Sequence, residues 1–166
     1  MSNILTVKNK KDEKFLRRRA DDFDFNRFSK KEVGELVAKM RKIMHHAQGI
    51  GLSANQIGLN MRLFVAEVPD EKRKGLKFYA VFNPKIEKLD GKTYVLSEGC
   101  LSIPLTYGDV ERPERIVLLG YDRNNQPIKI KAWGLLARVF QHEMDHLNGM
   151  LFIDKAKNIK KLESSK

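Results

Sequence analysis

Apolar residues recur at helical spacing between positions 33 and 44, where they occupy Val33, Leu36, Val37, Met40, Ile43 and Met44. This periodicity predicts an amphipathic α-helix with one face turned to the protein interior. The preceding Ser29-Lys30-Lys31-Glu32 has the order of a capping box, in which the serine and glutamate side chains bond backbone amides of the first turn. We therefore expect a helix that begins near Ser29 and ends by Gly49.

Short runs rich in aliphatic, β-branched and aromatic residues follow, separated by polar segments. They cover 63–68, 78–83, 92–96, 115–121 and 127–132. Such runs are typical of β-strands, and the polar residues 69–75 indicate a loop. Turn-forming residues at 122–126 separate the last two runs, which are therefore predicted to form a hairpin.

A second helical segment is apolar on more than one face, through Leu135, Leu136, Val139, Phe140 and Leu147. This distribution predicts a helix buried at the centre of the domain. Strands followed by a buried helix indicate an α+β fold, in which mainly antiparallel β-sheets surround the central helix. We expect one domain over 1–166, with a short basic tail from about 155.

The buried helix contains Gln141-His142-Glu143-Met144-Asp145-His146, in which two histidines four positions apart flank a glutamate. Residues at this spacing share a helix face, so His142 and His146 can bind the same metal ion. Glu143 is offset around the helix, where its carboxylate can act as general base on a water beside the metal. A solvated polar helix is the weaker interpretation, because charged groups in a buried helix need partners.

A catalytic metal site of this kind needs a third protein ligand and an open position. The single cysteine, Cys100, lies in the extended run Ser97-Glu98-Gly99-Cys100-Leu101-Ser102-Ile103-Pro104. An unpaired cysteine is also a common small core residue, but two positioned histidines in the same chain favour a metal ligand. A downstream carboxylate is not favoured, because only Glu163 follows Asp154 and it lies in the basic tail.

A glycine-rich segment, Gly49-Ile50-Gly51-Leu52-Ser53-Ala54-Asn55-Gln56-Ile57-Gly58, follows the first helix. Such a segment can be a simple turn. Small residues also allow a backbone to approach a ligand closely, and the side-chain amide of Gln56 is then a candidate donor to an oxyanion.

Together these motifs resemble those of the peptide deformylase family, which carries Gly-x-Gly-Leu-Ala-Ala-x-Gln, Glu-Gly-Cys-Leu-Ser and Gln-His-Glu-x-Asp-His in this order. The similarity spans about residues 12–154 and continues through Leu147-Asn148-Gly149-Met150-Leu151-Phe152-Ile153-Asp154. The resemblance implies a single peptide deformylase-like catalytic domain. Its expected activity is the metal-dependent removal of the formyl group from the N-terminal methionine of newly synthesised polypeptides, with release of formate.

The resemblance also implies roles for the catalytic and metal-binding residues. One divalent ion would be bound by Cys100, His142 and His146, with Glu143 as the general base. The oxyanion would be stabilised by Gln56 and the backbone N–H of Leu101. The family's physiological metal is ferrous iron, while this ligand set also suits zinc, nickel or cobalt in purified protein.

The N-formylmethionyl peptide is expected to bind as an extended strand beside Ile50, Gly51 and Gly99. We nominate Ile50, Leu135 and Val139 as walls of the methionine pocket, with ordinary core packing an equal alternative for Leu135.

The chain departs from the family pattern at three places. Ser53 stands where the family usually has alanine, a change between small residues from which we expect little effect. The segment 8–17 lacks the proline that usually precedes Asp12, and the longer carboxy-terminal helix of many bacterial members is expected to be absent or short.

Length and composition agree with a single compact enzyme domain. A chain of 166 residues is long enough for one substantial core, and neither a signal-like stretch nor a membrane-spanning run is found. One cysteine and a thiolate ligand fit a reducing compartment, so the cytoplasm of a bacterial-type cell, or an organelle of bacterial descent, is expected.

Two other functions remain open from the residues alone. The net charge of +11 is compatible with a basic RNA-binding or ribosome-associated protein, and weak attraction to ribosomal RNA would suit an enzyme of nascent chains. No binding motif organises these charges, however. A metallopeptidase-like hydrolase could use the same helix.

His45 and His46 are expected to be structural or solvent-facing, and Glu98 with Arg112 could form a structural ion pair.

Overall fold

Six β-strands form one antiparallel sheet in the computed structural model, which describes residues 4–70 and 72–162. The strands are β1 (Gly51–Ser53), β2 (Leu63–Pro69), β3 (Leu76–Cys100), β4 (Ile103–Tyr121), β5 (Pro127–Trp133) and β6 (Lys157–Lys161). β1 to β5 are neighbours in chain order, and β6 pairs with β4. The expected antiparallel arrangement is confirmed, as a single sheet rather than several.

The α-helices within the described residues are α1 (Lys10–Leu16), α2 (Lys30–His46) and α3 (Gly134–Leu147). The predicted capping box opens α2, because Ser29 N donates to Glu32 Oε2 at 2.7 Å and Glu32 N donates to Ser29 Oγ at 3.2 Å. The helix ends at His46, three residues before the expected end at Gly49. Sequence periodicity therefore located α2 to within a turn.

The strands are longer than their apolar runs. β3 joins the predicted runs 78–83 and 92–96 into one strand, and β4 begins at Ile103 rather than at 115. Register shifts interrupt the β3–β4 ladder between Phe82 and Lys85, and twice more before Thr93. These irregularities accommodate residues such as Pro84, which cannot donate to a ladder. The predicted β4–β5 hairpin is confirmed, from Arg115 opposite Trp133 to Tyr121 opposite Pro127.

The core lies between the sheet and helices α2 and α3. Phe140 of α3 meets Phe64 of β2 with ring centroids 5.3 Å apart, and both rings are fully buried. Burial of one such ring contributes roughly 1.5–3 kcal/mol, and truncation of Phe140 to alanine would cost about 3–5 kcal/mol. This packing holds α3 against the sheet, so the predicted central helix and the α+β class are confirmed.

The end of α3 is fixed by its glycine. Gly149 has a φ of +75°, and the N–H groups of Gly149 and Met150 bond back to the carbonyls of His146 and Asp145. A left-handed residue at this position ends a helix and satisfies its last carbonyls. The second histidine of the motif therefore lies in the final turn.

The segment after Asp154 is partly a strand, which the sequence patterns did not predict. β6 is exposed along its length and pairs with β4 around Thr106 and Tyr107. Glu163 lies outside the described residues. None of the helices in the described ranges is both long and apolar enough to cross a lipid bilayer.

Candidate active site

Three side chains from two elements converge at the centre of the molecule. Cys100 closes β3, while His142 and His146 lie on one face of α3, and their ligand atoms all lie within 4.8 Å of one another. Cys100 Sγ is 3.1 Å from His146 Nε2. No other such cluster occurs in the part of the chain that the structure describes. All three residues selected from the sequence therefore meet at one point.

The electrostatics of this cluster suit a metal. Burial alone would raise the pKa of the Cys100 thiol, but the charges and hydrogen bonds of His146 and His142 lower it to about 5. Burial conversely disfavours a charged His142, yet its bonds to Cys100 and Glu98 raise its pKa to about 10. These shifts favour a thiolate and a charged imidazole side by side, and a divalent cation can take the place of the imidazole proton. Thiolate and imidazole are ligands of zinc, iron, cobalt and nickel, so the residues fit a single metal ion.

Glu98 orients the first histidine, a role that the sequence reasoning did not assign. Its Oε2 accepts a hydrogen bond from His142 Nδ1 at 3.0 Å, which leaves Nε2 of the ring for a metal. Arg112 bonds both oxygens of Glu98 at 2.6 and 2.8 Å, which confirms the expected ion pair. Although burial opposes ionisation, Arg112 and His142 hold the pKa of Glu98 well below its usual range. The ring thus faces a permanent carboxylate, the usual outer partner of a metal-binding histidine.

The Glu98 carboxylate belongs to a larger buried network. Arg138 Nη1 donates to Glu98 Oε1 at 2.7 Å, and Arg112 Nη1 donates to Asp145 Oδ2 at 2.8 Å. Lys155 donates to the other oxygen of Asp145 at 2.7 Å. Because each buried charge has an opposite partner, removal of one member would leave another uncompensated. The position of Glu98 two residues before Cys100 is the sequence signal that could have suggested this role.

Glu143 is buried beside the cluster and is only 3% exposed. Burial raises its pKa to about 7, although His142 and His146 oppose the shift. Its Oε2 has no hydrogen-bond partner among the described residues. A Cβ added to Gly51 would overlap Glu143 Oε1 and lie 3.0 Å from Val139 Cγ1. The glycine is therefore required for the carboxylate to lie at this point, as expected for a backbone in close approach.

Gln56 reaches the same point from the 3₁₀ helix Ala54–Ile57. Its Nε2 donates to Ser102 Oγ at 3.1 Å and lies 3.7 Å from Cys100 Sγ. Leu101, next in the chain after Cys100, lines the same cavity. The amide donor chosen from the glycine-rich segment is thus aimed at the metal cluster.

A cavity of about 560 Å³ opens over these residues, a size suited to a small ligand or peptide end. Of the eleven site residues selected from the sequence, His146 is buried below this cavity and does not line it. The other ten line the cavity: Ile50, Gly51, Gln56, Gly99, Cys100, Leu101, Leu135, Val139, His142 and Glu143. Leu135 is 49% exposed, so it is not a core residue, whereas Val139 also belongs to the buried cluster of α3.

His45 and His46 lie away from the cluster, at the end of α2. His45 Nε2 pairs with the buried carboxylate of Glu67, which Arg41 also contacts. His46 is exposed. The expected structural or solvent-facing roles agree with this arrangement.

A thiolate and two imidazoles beside a buried carboxylate, with an amide donor opposite, make the arrangement of a mononuclear metallohydrolase. The family model for polypeptide deformylase matches residues 1–162. The chain belongs to this family.

Individual relatives agree with the family match. A peptide deformylase from Pelotomaculum thermopropionicum is 47% identical over 128 residues, which cover 77% of this chain and 78% of the relative. Among solved structures, a peptide deformylase from Synechococcus elongatus in complex with actinonin has a TM-score of 0.83 and 38% identity, covering 94% of this chain and 80% of that one. A class I type b peptide deformylase from Acinetobacter baumannii, bound to Met-Ala-Ser, has a TM-score of 0.82 and 25% identity, covering 93% of this chain and 99% of that one.

Proposed function

We propose that this protein hydrolyses the formyl amide at the N-terminal methionine of newly synthesised polypeptides, releasing formate and a free amino terminus. The observation that carries the proposal is the convergence of Cys100, His142 and His146 with ligand atoms within 4.8 Å, beneath a cavity that Glu143 and Gln56 also line. Membership of the deformylase family supports the same reaction.

Cys100 Sγ, His142 Nε2 and His146 Nε2 are the atoms that would hold one divalent ion. When bound, such an ion polarises the formyl carbonyl and lowers the pKa of water toward neutrality. We propose ferrous iron in the cell, since the family uses it, with zinc, nickel or cobalt able to occupy the same donor set in purified protein. Metal analysis of protein purified without oxygen tests this assignment.

Glu143 moves the protons of the reaction. Its carboxylate accepts a proton from the water that attacks the formyl carbon, and the carbon–nitrogen bond then breaks as Glu143 returns that proton to the leaving amine. A carboxyl whose pKa is raised to about 7 by burial is matched to both transfers at neutral pH. Its unpartnered Oε2 is the atom we assign to this exchange.

Gln56 and Leu101 stabilise the negative charge that develops on the formyl oxygen. The Nε2 of Gln56 and the backbone N–H of Leu101 act as donors that are in place before the reaction begins. Such preorganised donors are each worth about 10²–10³ in rate in related acyl-transfer sites.

The peptide end lies along the backbone near Gly51 and Gly99, and the methionine side chain enters the apolar part of the cavity. Ile50, Leu135 and Val139 are the walls that we assign to it. The Met-Ala-Ser complex of the Acinetobacter baumannii relative supports a peptide ligand with methionine first.

The test is formate release from a formyl-Met-Ala-Ser peptide by anaerobically purified protein, with metal content measured on each sample. Glu143→Ala should lose turnover by at least about 10³-fold and keep its metal, because it removes the proton carrier and no ligand. Cys100→Ala should lose both. Wild type that is fully metallated yet releases no formate would contradict the proposed activity, and Cys100→Ala with full metal would contradict the third ligand.

A metallopeptidase-like activity is the competing use of the same helix. Internal cleavage of an unformylated peptide by the metallated protein would favour it. The presence of a cysteine as third donor and of Gln56 beside it supports the deformylase reaction instead.

A weak association with ribosomal RNA is a second proposal, and it rests on charge. The net charge is +11, and β6 is an exposed strand with lysines at 157, 160 and 161 beside the strand that borders the cavity. Clustered lysines attract phosphates in a salt-dependent way. Co-sedimentation with ribosomes should fall steeply between low and physiological salt, and no binding at low salt would refute it. We expect the cytoplasm, or an organelle of bacterial descent, as the place of action.

A further inference from the structure

Ser53 is the last residue of β1, and its hydroxyl contacts two side-chain amides. Ser53 Oγ is 2.7 Å from Asn55 Oδ1 and 3.0 Å from Gln56 Oε1. All three residues are at most 2% exposed. We infer that Ser53 is a positioning residue, which orients the Gln56 amide for the oxyanion and connects it to α3. The inference rests on the proposed function and replaces the expectation that the serine has little effect.

The orientation of the Gln56 amide follows from its neighbours. The backbone N–H of Ser53 lies 2.9 Å from the Gln56 side chain and can bond only to an oxygen, so this end of the amide is Oε1. The NH₂ group must then point the opposite way, toward Ser102 Oγ and Cys100 Sγ. The donor end of Gln56 is therefore aimed at the cluster because its acceptor end is held by Ser53.

Asn55 extends this arrangement to the metal-binding helix. Its Nδ2 donates to the carbonyl of His146 at 2.6 Å, which fixes Oδ1 on the side of Ser53. The hydroxyl proton of Ser53 is thus shared between Asn55 Oδ1 and Gln56 Oε1, with the shorter distance to Asn55. A continuous set of hydrogen bonds runs from the oxyanion donor, through Ser53 and Asn55, to a residue that would ligate the metal.

Such a connection matters because an oxyanion donor is useful only at the right place. The Gln56 amide comes from the 3₁₀ helix after β1, whereas His142, Glu143 and His146 come from α3. Small misplacements between a donor and the reacting atoms reduce rate far more than binding. In a buried site, hydrogen bonds of this kind are also stronger than in water. Ser53 therefore holds the two halves of the site in register.

The first experiment compares wild type and Ser53→Ala in steady-state deformylation of formyl-Met-Ala-Ser, at equal metal content. The substitution removes one oxygen and adds no heavy atom to the buried site, so the variant is expected to fold. We expect kcat to fall about fivefold, the effect of one neutral hydrogen bond, because the backbone N–H of Ser53 still holds Oε1. KM should change less than about twofold, since the oxyanion contact strengthens only in the transition state.

A double-mutant cycle decides whether Ser53 acts through Gln56. Gln56→Ala alone should lower kcat by about 10²–10³, which leaves measurable turnover. In that background, Ser53→Ala should cost nothing further, because the amide that it orients is gone. A Ser53→Ala variant equal to wild type would overturn the inference. The same fivefold loss in the Gln56→Ala background would also overturn it, since Ser53 would then act elsewhere.

A spectroscopic measurement separates this inference from the proposed reaction. The ¹H–¹⁵N resonances of the Gln56 side-chain NH₂, assigned by their loss in Gln56→Glu, report the hydrogen bonds of that amide without substrate. They should shift in Ser53→Ala relative to wild type, in metal-free and zinc-loaded protein alike. Unchanged resonances would refute the positioning role even if the wild type released no formate. Formate release by wild type, in contrast, tests the proposed function alone.

Discussion

Glu98 Oε2 lies 3.0 Å from His142 Nδ1, so a carboxylate at the end of β3 fixes the ring that α3 presents to the metal cluster. The same carboxylate is held by two guanidinium groups, those of Arg112 and Arg138. A histidine that donates to an ionised carboxylate keeps one tautomer and becomes a better ligand. A residue of β3 thus fixes the orientation of an imidazole that belongs to α3.

Glu98→Gln is expected to weaken metal binding and turnover by about 10–100-fold, because the ring loses its charged acceptor. It should also destabilise the protein, since Arg112 and Arg138 lose their shared carboxylate. Competition with a chromogenic chelator gives the metal affinity, and circular dichroism during heating gives Tm. Glu111→Gln is the matched control, because that glutamate of β4 is exposed. Metal affinity within twofold of wild type in Glu98→Gln would contradict the orienting role.

Gly51→Ala should lower kcat by at least about 10²-fold, because the new Cβ would overlap Glu143 Oε1 and displace the general base. Metal content should stay near that of wild type, since no ligand moves directly. Formate release with metal analysis measures both quantities.

Gly34→Ala is the control for this substitution. Nothing lies within 4 Å of a Cβ added there, and Gly34 is inside α2. Alanine should therefore stabilise the protein by about 0.5–1 kcal/mol without changing kcat. Normal turnover in Gly51→Ala would show that Glu143 tolerates the displacement.

Metal removal is expected to expose Cys100 to alkylation and to lower Tm. Cys100 is the only cysteine in the sequence, so mass spectrometry after iodoacetamide treatment counts modification at one site. Bound metal occupies the thiolate, and a ligand that binds only the folded state stabilises it by mass action. Chelated protein should be alkylated at least about tenfold faster than metallated protein. Equal rates, with metal loss verified on the same samples, would argue against Cys100 as a ligand.

The Arg17–Asp154 pair should make stability depend on pH. Arg17 Nη1 donates to both oxygens of Asp154, at 3.0 and 2.8 Å, and Leu151 N donates to it at 2.9 Å. Although burial opposes ionisation, these bonds lower the pKa of Asp154. A lowered folded-state pKa gives stability that is fully present above the unfolded pKa of about 3.9 and is lost as pH falls through the folded value.

Asp154→Asn should therefore have a lower Tm than wild type at pH 7, and the difference should shrink below about pH 4. Thermal denaturation of both proteins at pH 7, 5 and 3 measures it. Arg17→Met in place of Asp154→Asn should give the same trend, because it removes the same pair. A Tm difference that stays constant down to pH 3 would contradict the assignment.

Local patterns in the sequence predicted those parts of the molecule that depend on near neighbours. The period of α2, the turn between β4 and β5 and the two histidines of α3 are properties of short segments, and each was found where expected. Cys100 could be selected because the histidines already implied a missing ligand. Its contact with them is a long-range fact that only the fold supplies.

The remaining features depend on contacts that no local pattern records. β3 runs without a break from Leu76 to Cys100, through residues 84–91 between its two predicted runs. β6 is rich in lysine, and it forms a strand because it pairs with β4. The network around Glu98 joins charges from β3, β4 and α3. Sequence patterns assign charged residues to the protein surface, and only the fold shows which of them are buried beside opposite charges.

The hydrogen bond from Asn55 to the carbonyl of His146 limits how early in synthesis the active site can form. Its two residues are 91 positions apart in the chain, and Cys100 precedes His146 by 46. Because synthesis proceeds from the amino terminus, the glycine-rich segment and the long hairpin leave the ribosome well before α3 can join them. A protein that we expect to remove the formyl group from the first residue of new chains thus acquires its own catalytic centre only after α3 has been synthesised.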